Sequence, residues 1–135
     1  MSRSPRPLEF FVDRSLGRHR VPEALRLVGW TLRTHHEVYG ERDEEVPDIE
    51  WLELCGRCGL PVLSKDRRLR HRPAEIEAIR RFGVNAFLLT SGNLLAAEQA
   101  ERFDRNREGI ERSCSAAGPS VYAVQAVRIV KMFPS

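Results

Sequence analysis

No apolar run in this chain approaches the roughly 18–20 residues that a helix needs to cross a bilayer. The opening stretch, MSRSPRPLEFF, lacks an apolar segment followed by the small residues at which secretory leaders are cleaved. Cysteine is scarce: three residues, an odd number, do not make a disulfide framework and suit a reducing compartment. These absences predict an intracellular, cytoplasmic protein with no membrane attachment. Repeats and low-complexity tracts are also missing, apart from a Ser/Arg/Pro-rich leader at residues 1–7 that reads as a flexible N-terminal arm. Charge of one sign is missing as well. With 22 basic and 19 acidic side chains the net charge is +3, too mild to mark a polyanion-coating protein. Neither a P-loop nor a dinucleotide-binding glycine fingerprint nor a G-x-S-x-G nucleophile turn occurs.

What remains is enough apolar residue, 41% of 135, for one ordinary domain, taken as residues 8–135. Short apolar runs at residues 8–12, 30–34, 60–64 and 85–90 read as buried strands. Between them lie helical periods at residues 22–28, from Pro47-Asp48 to Gly59, and at residues 73–82. A long helix is expected over residues 94–116, where Ala100, Phe103, Ile110 and Cys114 share one face, and a last strand over residues 121–130. Strand and helix alternate with short links, which predicts a three-layer α/β/α sandwich around a mostly parallel sheet. Ligands in such sheets bind beyond the carboxyl ends of the strands.

Two aspartates stand there. Asp13 and Asp66 each follow a predicted strand, and Asp48 opens the helix that leads into the Asp66 strand. If the first and third strands are neighbours, all three carboxylates meet on one rim. Ionised carboxylates at the edge of an apolar sheet cost desolvation energy unless a cation or several donors meet them. Three together, without histidine or thiolate, form a hard oxygen site suited to Mg²⁺ or Mn²⁺. The plainer alternative is that each caps a turn or a helix.

The segments FFVDRSLG, PDIEWLELCGRCGLPVLSKDRRLRHR and NAFLLTSGN together resemble a PIN domain, of the PIN-like subgroup related to VapC-type toxins of bacterial toxin–antitoxin modules. The resemblance spans about residues 8–130, and its most specific part runs from Asp48 through Ser64-Lys65-Asp66. It implies a metal-dependent endoribonuclease in which Asp13, Asp48 and Asp66 bind Mg²⁺ or Mn²⁺. A fourth catalytic acid is usual in the family; Glu37, in THHEVYG, is the nearer match and Glu50 the other candidate. The resemblance also implies an RNA substrate, an antitoxin partner and homodimerisation. The competing reading is a PIN-fold binding module with an incomplete metal site. An aspartyl-nucleophile phosphatase is disfavoured because Ser15 stands where its second acid belongs.

Charge patterning agrees with a nucleic-acid partner. Residues 65–72 carry Lys65, Arg67, Arg68, Arg70 and Arg72 against Asp66 alone, a local +4 where an RNA backbone is expected to run. Residues 37–53 carry eight acids and one base. Ser91 and Asn93 follow the fourth strand on the same rim; they read as a helix start and as candidate contacts to phosphate or bound water. Cys55 and Cys58 end a helix and lack two further ligands, so neither zinc nor redox chemistry is expected of them. Adjacent His35 and His36 point apart on a strand, which leaves at most one of them to touch substrate.

Overall fold

The structure, a computed structural model, describes residues 8–134; the expected N-terminal arm at residues 1–7 lies outside the described residues, as does Ser135. Six strands form one sheet: β1 (Glu9–Val12), β2 (Thr31–Thr34), β3 (Val62–Ser64), β4 (Asn85–Leu89), β5 (Ser120–Val124) and β6 (Ile129–Phe133). Their order is β2-β1-β3-β4-β5-β6, parallel throughout except for β6, which pairs antiparallel on the edge. This is the mostly parallel sandwich that the alternating pattern predicts, with the first and third strands adjacent.

Alternation along β1 decides the two cores. Phe10 and Val12 point to one face, where they pack with Leu25 of α1 (Arg20–Leu27), Phe103 of α6 (Ala96–Arg105) and Ile110 of α7 (Arg107–Ser113). Phe11 points to the other, against Trp51 and Leu52 of α3 (Asp48–Cys58) and Ile79 of α5 (Pro73–Phe82). Each such aromatic or Leu side chain, fully withdrawn from water, contributes on the order of 2–3 kcal/mol. Helix α3 lies hard against α5: a Cβ at Gly56 would stand 2.3 Å from the Phe82 carbonyl oxygen, so only glycine permits this approach. Gly59, at φ 67°, closes α3 in the left-handed conformation and returns the chain toward β3.

Two expectations are corrected. The single helix over residues 94–116 breaks at Asn106 into α6 and α7, because the Asn106 amide donates to Arg102 O at 2.8 Å and to Gln125 O at 2.9 Å and draws the backbone away from helical geometry. The strand over residues 121–130 is a hairpin, β5 and β6, turning at residues 125–128, where Gln125 N donates to Arg128 O. Short elements fill stretches read as loops: a 3-10 turn at Arg14–Leu16, α2 at His35–Tyr39, a 3-10 segment at Gly40–Glu45 and α4 at Arg68–His71. Among the described residues no helix is long and apolar enough to cross a membrane.

Candidate active site

The carboxyl ends of β1, β2 and β3 lie side by side, and the chain leaves each through a polar residue. The β1–β3 ladder continues one residue past β1, with Asp13 N donating to Leu63 O at 3.1 Å. Asp13 then caps the Arg14–Leu16 turn: its Oδ1 accepts from Ser15 N at 2.7 Å and from Ser15 Oγ at 2.5 Å. Its Oδ2 accepts from Ser64 Oγ, also at 2.5 Å. Those two hydroxyls in turn accept backbone N–H groups, Ser64 Oγ from Asp66 and Ser15 Oγ from Lys65, both at 3.0 Å. The end of β3 is thereby wired to Asp13. Burial pushes the Asp13 carboxyl up to about 6, against the pull of the serine bonds.

Asp66 and Asp48 meet across a guanidinium. Arg68 folds back two residues so that its Nη2 lies 2.6 Å from Asp66 Oδ2 and its Nε within 3.1 Å of both Asp66 oxygens, and Arg68 N donates to Asp66 Oδ1 at 2.9 Å. The same Nη2 reaches Asp48 Oδ2 at 3.7 Å. Partial burial works to raise the Asp66 carboxyl, and the Arg68 bonds overcome it and hold the group below the ordinary carboxylate range. Asp48 occupies the first turn of α3, where a carboxylate suits the helix dipole, and its Oδ1 accepts from Trp51 Nε1 at 3.0 Å. Trp51 is itself stacked on Phe11, with ring centroids 5.2 Å apart.

Asp13, Asp48 and Asp66 line one cavity of about 140 Å³, together with Ser15, His35 and Arg68. Folding thus brings together the three acids singled out in the sequence. In kind, the donors are the hard oxygens that Mg²⁺ or Mn²⁺ takes. In position, Arg68 holds the place of a cation between Asp48 and Asp66, and no three His, Cys, Asp or Glu side chains among the described residues close around a common point. The donors present therefore fit a divalent ion in kind; to hold one, Arg68, 43% exposed, has to turn away and the carboxylates have to draw together.

Neither candidate for a fourth acid, Glu37 or Glu50, lines this cavity. Glu37 completes a capping box at the start of α2, its Oε1 accepting from Thr34 N at 2.8 Å and from Arg26 Nη2 at 2.7 Å. Slight burial opposes these bonds, which nevertheless hold the carboxyl below its usual range. Glu50 turns outward to Arg42, 3.3 Å away. Of the basic run, Lys65, Arg67 and Arg70 line a neighbouring groove of about 260 Å³ with Ser91 and Asn93, and Asp66 is common to the groove and the acid cavity. Arg68 is committed to the acids, and Arg72, just past the end of α4, stands 4.0 Å from Glu75. Ser91 and Asn93 do not start a helix: α6 begins three residues beyond Asn93, and both sit in the loop that shapes the groove. The cysteines are free, with the Cys55 thiol pushed up by burial in the core.

Several participants take parts in the site that the sequence reading did not assign to them. Ser15 and Ser64 matter as donors to Asp13, and the D-x-S and S-x-D patterns were their only trace. His35, buried at the end of β2, lines the cavity and bonds Asp43 through Nδ1. Glu75, in the first turn of α5, is buried with Oε2 unpartnered and acts electrostatically on Arg68.

The PIN-like domain family matches residues 8–91, the span that contains Asp13, Asp48 and Asp66. The chain is also 33% identical, over 123 residues, to a Mycobacterium tuberculosis protein named "Putative ribonuclease VapC45"; the match covers 90% of this chain and 89% of that protein. No solved structure matches. The family match spans the acid rim and the relative spans nearly the whole sandwich, so the chain belongs to the PIN-like domain family, as a PIN domain related to VapC.

Proposed function

We propose that this protein is a divalent-metal-dependent endoribonuclease that hydrolyses RNA phosphodiesters, and that it is the toxin of a toxin–antitoxin module. The observation that carries the reading is the convergence of Asp13, Asp48 and Asp66 on one cavity that opens beside a groove lined by Lys65, Arg67 and Arg70. The relative's name, a ribonuclease, agrees.

In this reading Asp13, Asp48 and Asp66 hold Mg²⁺ or Mn²⁺, which when bound makes water a nucleophile near neutral pH and polarises a phosphate oxygen. The protein's own groups do the rest. Lys65, Arg67 and Arg70 bind the strand through its phosphates. Ser91 and Asn93 supply neutral hydrogen bonds to the phosphate next to the cut. Ser15 and Ser64 fix the Asp13 carboxylate so that its free lone pairs face the cavity. Water oxygen bonds to phosphorus, the bond to the departing ribose oxygen breaks, and the proton lost by water is replaced on that oxygen.

The test is incubation of the purified protein with RNA and Mn²⁺, Mg²⁺ or EDTA. Cleavage with either ion, absent in EDTA and lost in folded Asp13→Asn, Asp48→Asn and Asp66→Asn, supports the reading. A second reading rests on the closed acid cluster: with Arg68 on Asp66 and Asp48, the protein is a binding module without catalysis. RNA binding without cleavage at any Mn²⁺ concentration selects it. The antitoxin partner is tested by whether growth arrest on expression is relieved by a co-expressed cognate binder, and homodimerisation by sedimentation.

A further inference from the structure

Besides the groove beside Asp66, a second and shallower one of about 420 Å³ meets the acid cavity at Ser15. Ser15 belongs to both the acid cavity and this groove, and Lys65 and Gln99 belong to both grooves. The two grooves therefore adjoin at Lys65 and Gln99, one meeting the acid cavity at Asp66 and the other at Ser15. The second is walled by Arg18, His19 and Arg20, all exposed, and among the described residues no carboxylate lines it.

Elsewhere Arg26, Arg33, Arg57, Arg105 and Arg107 each find a carboxylate within 4.0 Å. None of Arg18, Arg20, Lys65, Arg67 or Arg70 makes an ion pair with a described residue. Arg18 Nη1 donates to a ring nitrogen of His36 at 3.0 Å, a hydrogen bond that brings no counter-charge to the guanidinium. Cations crowded without counterions repel one another, and an anion laid along them relieves that repulsion. A string of phosphates has the required charge at regular intervals, and guanidinium forks match its oxygens.

We propose that a single RNA strand is gripped in both grooves that meet the acid cavity, with Arg18, His19 and Arg20 holding phosphates in the groove that meets it at Ser15, with Arg67 and Arg70 holding them in the groove that meets it at Asp66, and with Lys65 shared between the two. This rests on the ribonuclease reading and deepens it: a strand held on both flanks presents an internal phosphodiester, not an end, to the aspartates.

The experiment is fluorescence anisotropy of a labelled oligouridylate in EDTA, where hydrolysis does not intervene, across a salt series. The double variant Arg18→Glu/Arg20→Glu is compared with Arg67→Glu/Arg70→Glu and with Arg112→Glu on the exposed side of α7, each checked for folding by circular dichroism. Both groove variants are expected to lose at least tenfold in affinity. Each should also lower the slope of log K against log salt by about 1.4, roughly 0.7 per single-strand phosphate contact. Arg112→Glu should match the unaltered chain. An Arg18→Glu/Arg20→Glu protein that binds with unchanged affinity and slope overturns the proposal. So does displacement of the oligouridylate by oligoglutamate at equal charge concentration, which marks the groove as a seat for an acidic protein segment. Failure of the ribonuclease reading looks different: there the unaltered chain leaves RNA intact with Mn²⁺ while the anisotropy result stands.

Discussion

Arg68 Nη2 lies 2.6 Å from Asp66 Oδ2 and 3.7 Å from Asp48 Oδ2, so one guanidinium neutralises two of the three acids that line the cavity. A divalent ion and this side chain compete for the same charge. Arg68→Gln is therefore expected to tighten Mn²⁺ binding by about tenfold, the scale of one charge-assisted hydrogen bond. Arg68 is 43% exposed, so its loss should cost the metal-free fold only about 1 kcal/mol. Calorimetric titration with MnCl₂ measures the first effect and urea unfolding the second. Unchanged or weaker Mn²⁺ binding in the variant shows that Arg68 does not guard the site.

Asp13 sets a pH dependence of the metal-free protein. Its carboxyl is raised from 3.8 to about 6, so between those values the folded chain keeps a proton that the unfolded chain has released. The resulting stability is complete below about pH 4 and is lost as pH rises through about 6, on the order of 3 kcal/mol for a fully buried group. Asp66 is shifted the other way; its contribution is present above the ordinary carboxylate range and disappears only as pH falls below it. The urea midpoint in EDTA should therefore fall between about pH 4 and pH 6.5 and level off above, and Asp13→Asn should flatten that limb. Parallel profiles for the two proteins contradict the assignment.

Ser64 is fully buried, and its hydroxyl joins Asp66 N to Asp13 Oδ2. Ser64→Ala leaves a buried carboxylate oxygen and a backbone N–H without partners, which costs about 1–3 kcal/mol. The loss should be larger at neutral pH, where Asp13 is ionised, than at about pH 5, where it carries its proton. Unfolding at the two pH values reads the difference directly. Equal losses would mean that the hydroxyl serves packing rather than the Asp13 charge.

Much of this site was legible because position in an α/β sheet carries information. Asp13 and Asp66 stand immediately beyond apolar runs that read as strands, and β1 and β3 are neighbours, so one rim collects both. Glu37 stands outside the cavity for a reason that was in view: Thr34-x-x-Glu37 is a capping box, which turns this carboxylate to the start of its own helix. Arg68 was counted as one cation in a basic run, and charge counting cannot show that its side chain folds back onto Asp66. The break at Asn106 left no mark in the apolar period, since Phe103 and Ile110 both face the core on either side of it. The hairpin at residues 125–128 was missed because QAVR holds no Gly, Asn or Pro to announce a turn.

Trp51 tests whether the position of Asp48 matters. Its indole stacks on Phe11 at 17° between planes and donates Nε1–H to Asp48 Oδ1 at 3.0 Å, so one residue ties the start of α3 to the core beneath β1. Trp51→Phe keeps most of the apolar contact and removes the donor. The expected loss of stability is about 1 kcal/mol, that of a single hydrogen bond to a charged group offset by water at the rim. The larger effect should fall on the site. With Asp48 free to rotate, Mn²⁺ binding weakens and RNA cleavage slows several-fold while oligouridylate affinity in EDTA is unchanged, because the grooves that bind phosphate do not include Trp51. Metal titration and anisotropy on the same preparation separate the two. A variant that loses RNA affinity along with Mn²⁺ affinity would show that Trp51 supports the whole rim and not Asp48 alone.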